Sequence, residues 1–358
     1  MSLTRFMAFL IRSAFLGVIV AVLILAFVPN LRVGNGFTAE WFNPTSQYPE
    51  RVTYYDALSA SAPAVVNIYS VSIENSSRIF NQSRSRERTS LGSGVIMTEG
   101  GYILTCYHVV EDADVMYVSL QDSRLVEAEM VGFDIFTDLA VLKVNADNLH
   151  VIPQLEATST RVGDVVMAIG NPYDLGQTIT QGIVSRTGRN GLANLFDFIQ
   201  TDAVLNQGNS GGALVDSNGH LVGITNASFA IRDNRQRVRS VDGVNFAVPY
   251  QLARRVMNEI IENGKVTRGQ LGFAGSEFTD PDRLGIVVTS VQPGGPADVA
   301  GLRVNDILIS IDDSEVKSAS KALDRIAETP PGTILSLIVM RDQERVTMQV
   351  VVGELSPS

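Results

Sequence analysis

The sequence predicts a mainly β chain with two folded units behind an N-terminal membrane helix. An uncharged, largely apolar stretch occupies residues 13–28. Short runs of Val, Ile, Leu and Tyr, separated by turn residues, recur across residues 64–247 and indicate antiparallel strands. A second, smaller set of such runs lies in residues 286–352. With 358 residues and 45% hydrophobic content, the chain is long enough for two or three folded units.

The N-terminal apolar stretch is long enough to cross a bilayer. Residues 6–11 extend it across Arg12, and a membrane helix needs roughly 20 apolar residues. Arg5 and Arg12 precede its centre, which predicts a cytoplasmic N-terminus with the rest of the chain outside. A cleaved signal peptide is the alternative, but the following segment offers no Ala-x-Ala-like site. We therefore predict residues 1–30 as a cytoplasmic stub and transmembrane anchor and residues 31–51 as a polar linker.

A helical segment separates the two sets of strands. Pro249 can open this helix and Gly264 can end it. Its apolar side chains share one face and are Leu252, Val256, Met257, Ile260 and Ile261. We predict that the helix closes a first domain over residues 52–265 and that residues 266–358 form a second domain.

Charge and cysteine content exclude several classes of function. The formal net charge is −10 without a long basic run, which argues against nucleic-acid binding. The single cysteine excludes an intrachain disulfide. The three histidines and one cysteine show no metal-ligand spacing, and no phosphate-binding Gly-Lys-Ser/Thr loop occurs. We expect neither a metal nor a cofactor.

The glycine-rich segment around Ser210 can present a nucleophile. The run from Gly208 to Gly212 places the Ser210 hydroxyl on a tight loop whose backbone N–H groups converge. Ser210 would attack a peptide carbonyl, and Gly208, Asn209 and Ser210 would form the oxyanion hole, with the amides of Gly208 and Ser210 as donors. Such a string alone is a weak signal, because most Gly/Ser strings are ordinary turns.

The partners of Ser210 make the signal specific. His108 directly follows an apolar strand-like run, whereas His150 and His220 fit a polar connection and a hairpin. Asp138 is a single acid at the start of a buried-looking strand and is the best orienting carboxylate. The order His, Asp, Ser is that of chymotrypsin-type proteases, in which imidazole lies between an alcohol and a carboxylate.

The segments that carry these residues also resemble the HtrA family of serine proteases, from about residue 52 to the C-terminus. Two positions depart from the family pattern: Cys106 replaces a usual asparagine, and Gln207 a frequent proline. Cys106 is best interpreted as a small buried residue. The resemblance implies a chymotrypsin-like double β-barrel followed by one PDZ domain. The resembling segments are residues 91–96, the His108 segment, 137–143, 168–172, 200–203 and 208–214.

The second domain has the features of a PDZ module. Gln270, Leu271, Gly272 and Phe273 resemble the Gly-Leu-Gly-Phe loop with which PDZ domains hold a terminal carboxylate on backbone N–H groups. The strand after this loop would offer its edge to the peptide, and a helix over residues 318–328 would form the other wall of the groove.

Resemblance to the membrane-anchored, single-PDZ HtrA proteases implies a specific task. It implies a homotrimer in the inner membrane, with a single membrane pass and both domains in the periplasm. C-terminal peptides of misfolded outer-membrane proteins would bind the PDZ domain and activate cleavage of a membrane-bound anti-sigma factor. Arg189 and Tyr173 match positions that transmit the signal. A general periplasmic quality-control protease and a proteolytically silent peptide-binding scaffold or chaperone are the alternatives.

Overall fold

The structure is a computed structural model, and it describes residues 3–27, 53–75, 85–156, 160–188, 197–227, 231–232, 238–239, 243–277, 285–316 and 318–355. The chain divides into two compact units, Met1–Thr53 and Tyr54–Ser358. The first contains helix α1 (Leu3–Phe27). Its segment Arg5–Leu23 has a mean hydropathy of 2.4, so by length and composition it is a candidate membrane span.

The second unit begins with helix α2 (Tyr55–Ser61) and a closed β-barrel. The barrel order is β1-β2-β3-β6-β5-β4, with neighbouring strands antiparallel. The short helix α3 (Tyr107–Val110) directly follows β3. The strands are β1 (Val65–Asn75), β2 (Ser85–Ile96), β3 (Tyr102–Cys106), β4 (Val115–Ser119), β5 (Leu125–Asp134) and β6 (Leu139–Val144).

A second closed barrel follows, in the order β10-β11-β14-β9-β8-β7. The two-stranded hairpin β12–β13 lies between β11 and β14 in the sequence. The strands are β7 (Val165–Gly170), β8 (Thr178–Gly188), β9 (Phe198–Thr201), β10 (Ala213–Asp216), β11 (Leu221–Asn226), β12 (Ile231–Arg232), β13 (Val238–Arg239) and β14 (Asn245–Pro249). The two barrels confirm the predicted double-barrel fold.

Helix α4 (Tyr250–Asn263) closes the barrels, as the sequence predicts. Its apolar face packs into the core that the two barrels share, with Val256 and Ile260 fully enclosed. Gly264 ends the helix in the left-handed conformation, and its N–H donates to the carbonyl of Ile260 (2.8 Å). Glycine adopts this conformation without steric cost, which explains the stop signal.

The remaining strands form the predicted PDZ domain around a core of its own. The main sheet has the order β16-β17-β18-β20-β21, with β19 paired to β18, and β15 pairs with β22. Helix α5 (Pro296–Val299) and helix α6 (Ala319–Glu328) pack on it. The strands are β15 (Gly269–Gln270), β16 (Phe273–Glu277), β17 (Ile286–Val291), β18 (Ile307–Ile311), β19 (Ser314–Glu315), β20 (Ile334–Arg341), β21 (Glu344–Val351) and β22 (Gly353–Glu354).

A buried ion pair joins the start of the predicted second domain to the first barrel. Arg268 Nη2 donates to Asp134 Oδ2 (2.7 Å), and Arg268 Nη1 donates to Asp134 Oδ1. The two side chains are only 6% and 3% exposed. The Asp134 carboxylate also accepts hydrogen bonds from the backbone of Phe136 and from the backbone and hydroxyl of Thr137. It therefore stabilises the turn that leads to Asp138.

Candidate active site

Strand pairing brings His108 and Asp138 together. Cys106, the last residue of β3, pairs with Leu139 at the start of β6. His108 lies two residues after Cys106 and Asp138 one residue before Leu139, so they meet at the same end of the two strands. His108 Nδ1 lies 2.6 Å from Asp138 Oδ2, and the His108 backbone N–H donates to Asp138 Oδ1 (2.9 Å).

Asn226 gives the Asp138 carboxylate a further donor. Its Nδ2 donates to Asp138 Oδ2 (2.8 Å). A carboxylate in its ionised form only accepts hydrogen bonds, so a neutral His108 paired with it carries its proton on Nδ1 and its lone pair on Nε2. This tautomer is the one that a general base requires. Asn226 could not be identified from the sequence, because one asparagine at the end of an apolar strand is also typical of a turn.

The Ser210 loop lies against the end of β11 that carries Asn226. The backbone N–H of Ala227, the residue after Asn226, donates to Ser210 Oγ (3.2 Å). Consecutive residues therefore contact Asp138 and Ser210. This arrangement gathers the three residues predicted for catalysis, although they are far apart in sequence. Ser210 Oγ makes no hydrogen bond to the His108 ring among the residues that the structure describes.

Ser93 fixes the Ser210 loop to the first barrel. Its N–H donates to the carbonyl of Ser210 (2.8 Å), and its Oγ donates to the carbonyl of Gly208 (2.7 Å). The Ser93 carbonyl in turn accepts from Thr105 Oγ1 (2.7 Å), next to Cys106. The Gly92-Ser93-Gly94 string was the available signal for this residue, but a string of small residues does not reveal which backbone groups it binds.

Two glycines of the loop are required by close approach. Gly208 has a φ of +101°, and a Cβ there would lie 2.4 Å from the Asn171 carbonyl oxygen. Gly211 has a φ of +83°, and a Cβ there would lie 2.2 Å from the Ser93 carbonyl oxygen. Any other residue would combine an unfavourable backbone conformation with a clash.

The backbone around Ser210 leaves two N–H groups free for an oxyanion. The carbonyl of Gln207 accepts a hydrogen bond from the N–H of Tyr173 (3.1 Å). Because a trans peptide is planar, the N–H of Gly208 points the opposite way. Within the described ranges, the N–H groups of Gly208 and Ser210 have no acceptor, whereas that of Asn209 donates to the Asn206 carbonyl (3.0 Å). The Asn209 amide is therefore not available as an oxyanion donor.

Cys106 is buried behind the dyad. Its Sγ contacts the Thr225 carbonyl oxygen (3.4 Å). The same sulfur lies within 4.8 Å of a ring nitrogen of His108 and of a carboxylate oxygen of Asp138. Burial, followed by the negative charge of Asp138, raises the pKa of the Cys106 thiol well above its usual value. A protonated, enclosed thiol is a poor nucleophile. Cys106 therefore fits the predicted role of a small core residue.

The two predicted signalling residues differ in what the structure shows. Tyr173 is exposed and has a φ of 53°, and its N–H holds the Gln207 carbonyl next to the Gly208 amide. It is thus connected to the Ser210 loop by one hydrogen bond. Arg189 lies outside the described residues.

The predicted carboxylate loop lines a groove of about 340 Å³ in the PDZ domain. Gly272 has a φ of +74° between Leu271 and Phe273. In the part of the chain that the structure describes, no group accepts the N–H of Leu271 or Gly272. The opposite wall comes from α6 through Leu323, Ile326 and Ala327. The groove thus combines free backbone donors at one end with an apolar lining.

Family comparisons agree with this architecture. The trypsin-like peptidase domain family matches residues 92–224, and the PDZ domain family matches residues 269–352. The chain is therefore a trypsin-like serine endopeptidase with one PDZ domain.

Individual relatives place the chain in one family of these proteases. It is 46% identical over 356 residues to the serine endoprotease DegS of Escherichia coli (strain K12), covering 96% of this chain and 98% of that protein. The solved structure of the HtrA-type protease AlgW with tripeptide matches with a TM-score of 0.74 and 41% identity, covering 86% of this chain and 98% of that one. The periplasmic serine endoprotease DegP of Escherichia coli (strain K12) is 38% identical over 274 residues, covering 73% of this chain and 56% of that protein. The chain belongs to the HtrA family of serine proteases and resembles its DegS members along nearly its whole length.

Proposed function

We propose that this protein is a membrane-anchored protease that a C-terminal peptide switches on. The peptide would come from misfolded outer-membrane proteins, and the substrate would be a membrane-bound anti-sigma factor. The observation that carries the catalytic part is the contact of His108 with Asp138 beside a Ser210 loop with two free amides. The 46% sequence identity to DegS over nearly the whole chain supports the regulatory part.

Catalysis begins with Ser210 as the nucleophile. Its Oγ turns from the Ala227 N–H toward Nε2 of His108, which accepts the hydroxyl proton as Oγ bonds to the scissile carbonyl carbon. Asp138 stabilises the imidazolium that forms. The amides of Gly208 and Ser210 donate to the oxyanion, which forms only during the reaction, so they lower the barrier rather than strengthen ground-state binding.

The second half of the reaction reverses the proton transfers. His108 gives its proton to the leaving amine, and the peptide bond breaks to leave an acyl group on Ser210. His108 then takes a proton from water, whose oxygen attacks the acyl carbon. Collapse of this second tetrahedral species returns the proton to Ser210 and releases the new carboxylate.

Activation requires that the peptide bind the competent state more tightly than the idle state. The terminal carboxylate would bind the free amides of Leu271 and Gly272, and the preceding residues would add a strand along β16. Tyr173 and Arg189 would pass the signal to the oxyanion amides. The Tyr173 N–H is suited to this because it orients the peptide bond between Gln207 and Gly208.

The proposed location and assembly follow from the anchor and the relatives. Helix α1 would span the inner membrane once and leave residues 54–358 in the periplasm, where DegP is described as acting. A homotrimer is proposed from the family resemblance alone.

A cleavage assay with matched peptides tests the proposal. A peptide with a free C-terminal carboxylate should raise the cleavage rate, and its C-terminal amide should bind at least about tenfold more weakly, because hydrogen bonds to charged groups contribute roughly 1.5–3 kcal/mol. Ser210→Ala should reduce cleavage by at least about a thousandfold while leaving peptide binding intact.

Each alternative function has its own outcome in this assay. Cleavage of unfolded protein at full rate without any peptide would indicate a general quality-control protease. Failure of a serine-directed reagent to label Ser210 with peptide present would indicate a silent scaffold. Undiminished turnover by Ser210→Ala would exclude the assigned nucleophile.

A further inference from the structure

Two stacked aromatic rings lie exposed beside the catalytic dyad. The ring centroids of Tyr107 and Phe133 are 4.2 Å apart, and the ring planes differ by 14°. Phe133 is 39% exposed, and Tyr107 is partly exposed. Ile135, two residues after Phe133, is 49% exposed. Single exposed apolar residues are common, but adjacent ones often mark a binding surface.

The position of these residues connects them to the active site. Tyr107 directly precedes His108, and its N–H donates to the Asp138 carbonyl (2.9 Å). The carbonyl of Ile135 accepts from the Asp138 N–H (3.3 Å). In the strand ladder, Phe133 pairs with Ala140, two residues after Asp138. The backbone of Tyr107 and Ile135 is hydrogen-bonded to Asp138, and Phe133 pairs with the strand that follows Asp138.

Phe133 does not pack on helix α4. The neighbouring Gly132 faces α4, since a Cβ there would lie 2.4 Å from the Gly264 carbonyl oxygen and 2.9 Å from Ile260. Successive strand residues point to opposite faces, so Phe133 points away from α4. Its stacking partner within the described structure is Tyr107.

We propose that Tyr107, Phe133 and Ile135, here called the aromatic ledge, form a substrate subsite for a large apolar side chain of the polypeptide being cleaved. The subsite lies beyond the scissile bond itself. The proposal rests on the catalytic roles proposed for Ser210 and His108. Tyr107 precedes His108 and its N–H is bonded to the Asp138 carbonyl, so a polypeptide held at His108 would have the ledge within reach.

Local charge favours an apolar rather than an acidic occupant. Burial, followed by the negative charges of Glu111 and Asp112, raises the pKa of the Tyr107 hydroxyl. An acidic substrate side chain at the ledge would meet the same negative field. A large apolar side chain would remove exposed ring surface from water and lose no charge interaction.

Peptide substrates with one cleaved bond and a movable phenylalanine test the proposal. When the phenylalanine occupies the substrate position that reaches the ledge, the wild-type protein should prefer Phe to Ser there by about fivefold in kcat/KM. This ratio is smaller than the one an enclosed pocket gives. Phe133→Ser should reduce that ratio to near one, and Phe133→Leu should keep most of it. Leu125→Ser is the matched control, because Leu125 is 62% exposed at the other end of β5.

A second readout separates failure of the subsite from failure of the catalytic assignment. Phe133→Ser should react with a small serine-directed reagent at the wild-type rate, since that reagent does not reach the ledge. An unchanged Phe/Ser ratio with normal labelling overturns the subsite alone, whereas a wild-type protein that is not labelled overturns the catalytic assignment. If Phe133→Ser does not fold, Ile135→Ser provides the same test, with an expected partial loss of the ratio.

Discussion

Asp138 is positioned by residues from two other parts of the chain. Its carboxylate accepts from the His108 ring, the His108 backbone and Asn226, and its carbonyl accepts from the Tyr107 N–H. It also has a φ of 55°, a left-handed conformation that aspartate tolerates better than bulkier residues. These contacts hold the acid in one orientation and thereby fix the tautomer of His108.

At this scale, the sequence identified residues whose type is diagnostic and missed those whose role is purely geometric. Because the chain has three histidines and Ser210 lies in the glycine-rich run from Gly208 to Gly212, residue type and order selected His108 and Ser210. Ser93 and Asn226 escaped notice because serine and asparagine are frequent in turns, and only the fold shows that they contact Ser210 and Asp138. The occupied amide of Asn209 likewise depends on a local turn with Asn206.

The Cys106 thiol should be unreactive in the folded protein. It has no exposed surface, and its raised pKa keeps it protonated, whereas alkylation requires the thiolate. Iodoacetamide at pH 8 should label the denatured chain completely and the native chain negligibly, as measured by intact mass. Cys106→Ala should retain cleavage activity.

The same shift predicts how stability depends on pH. Because the folded thiol keeps its proton at a pH where the unfolded thiol ionises, the free energy of unfolding should fall as pH rises above the unfolded pKa of about 8.5. Cys106→Ala should lack this part of the decrease. Rapid labelling of the native protein at pH 8 would contradict both expectations.

The turn between β5 and β6 is the element that couples the PDZ boundary to the catalytic acid. Asp134 accepts hydrogen bonds from Phe136 and Thr137 within the turn and pairs with Arg268 outside it. The sequence predicted the strand that begins after Asp138 and helix α4 correctly, because their apolar patterns are local. It could not predict the Arg268 pair, whose members are 134 positions apart.

Arg268→Ala should destabilise the protein strongly. The substitution leaves the Asp134 carboxylate buried without its charge partner, which typically costs about 3–5 kcal/mol. Urea unfolding followed by circular dichroism measures the loss. Because the turn carries Asp138, kcat should fall as well, even under conditions where the variant remains folded.

Arg255→Ala is the matched control for this prediction. Arg255 of α4 also reaches the PDZ domain, where it pairs with Glu328 of α6, but both side chains are about half exposed. Breaking such a surface pair should cost less than about 1 kcal/mol. Equal losses for Arg268→Ala and Arg255→Ala would show that burial of the Asp134 pair is not what stabilises the turn.

On the scale of the whole molecule, the chain combines an apolar helix, a double-barrel protease and a peptide-binding domain. The sequence predicted this order because each part has a local signature: a long apolar run, strand runs with a glycine-flanked serine, and a Gly-Leu-Gly-Phe-like loop. Contacts between the protease and PDZ domains could not be predicted from the sequence, because their members are far apart along the chain. Lys265 Nζ, for example, lies 3.1 Å from Glu354 Oε1, 89 positions away. These contacts join the PDZ domain to the end of the protease domain.

The anchor itself gives the last prediction. If α1 is retained as a membrane span, the purified protein should have an intact mass near 38.7 kDa and should stay in the membrane pellet after alkaline carbonate extraction. Val18→Lys should weaken that retention, because a charge at the centre of a span costs about 2.5–3.5 kcal/mol on insertion scales. Thr4→Lys, at the N-terminal end of α1, should have little effect, since lysine near a helix end reaches the interface. A mature protein that lacks residues 1–27 would show instead that α1 is a cleaved signal, and the protease would then act without a tether.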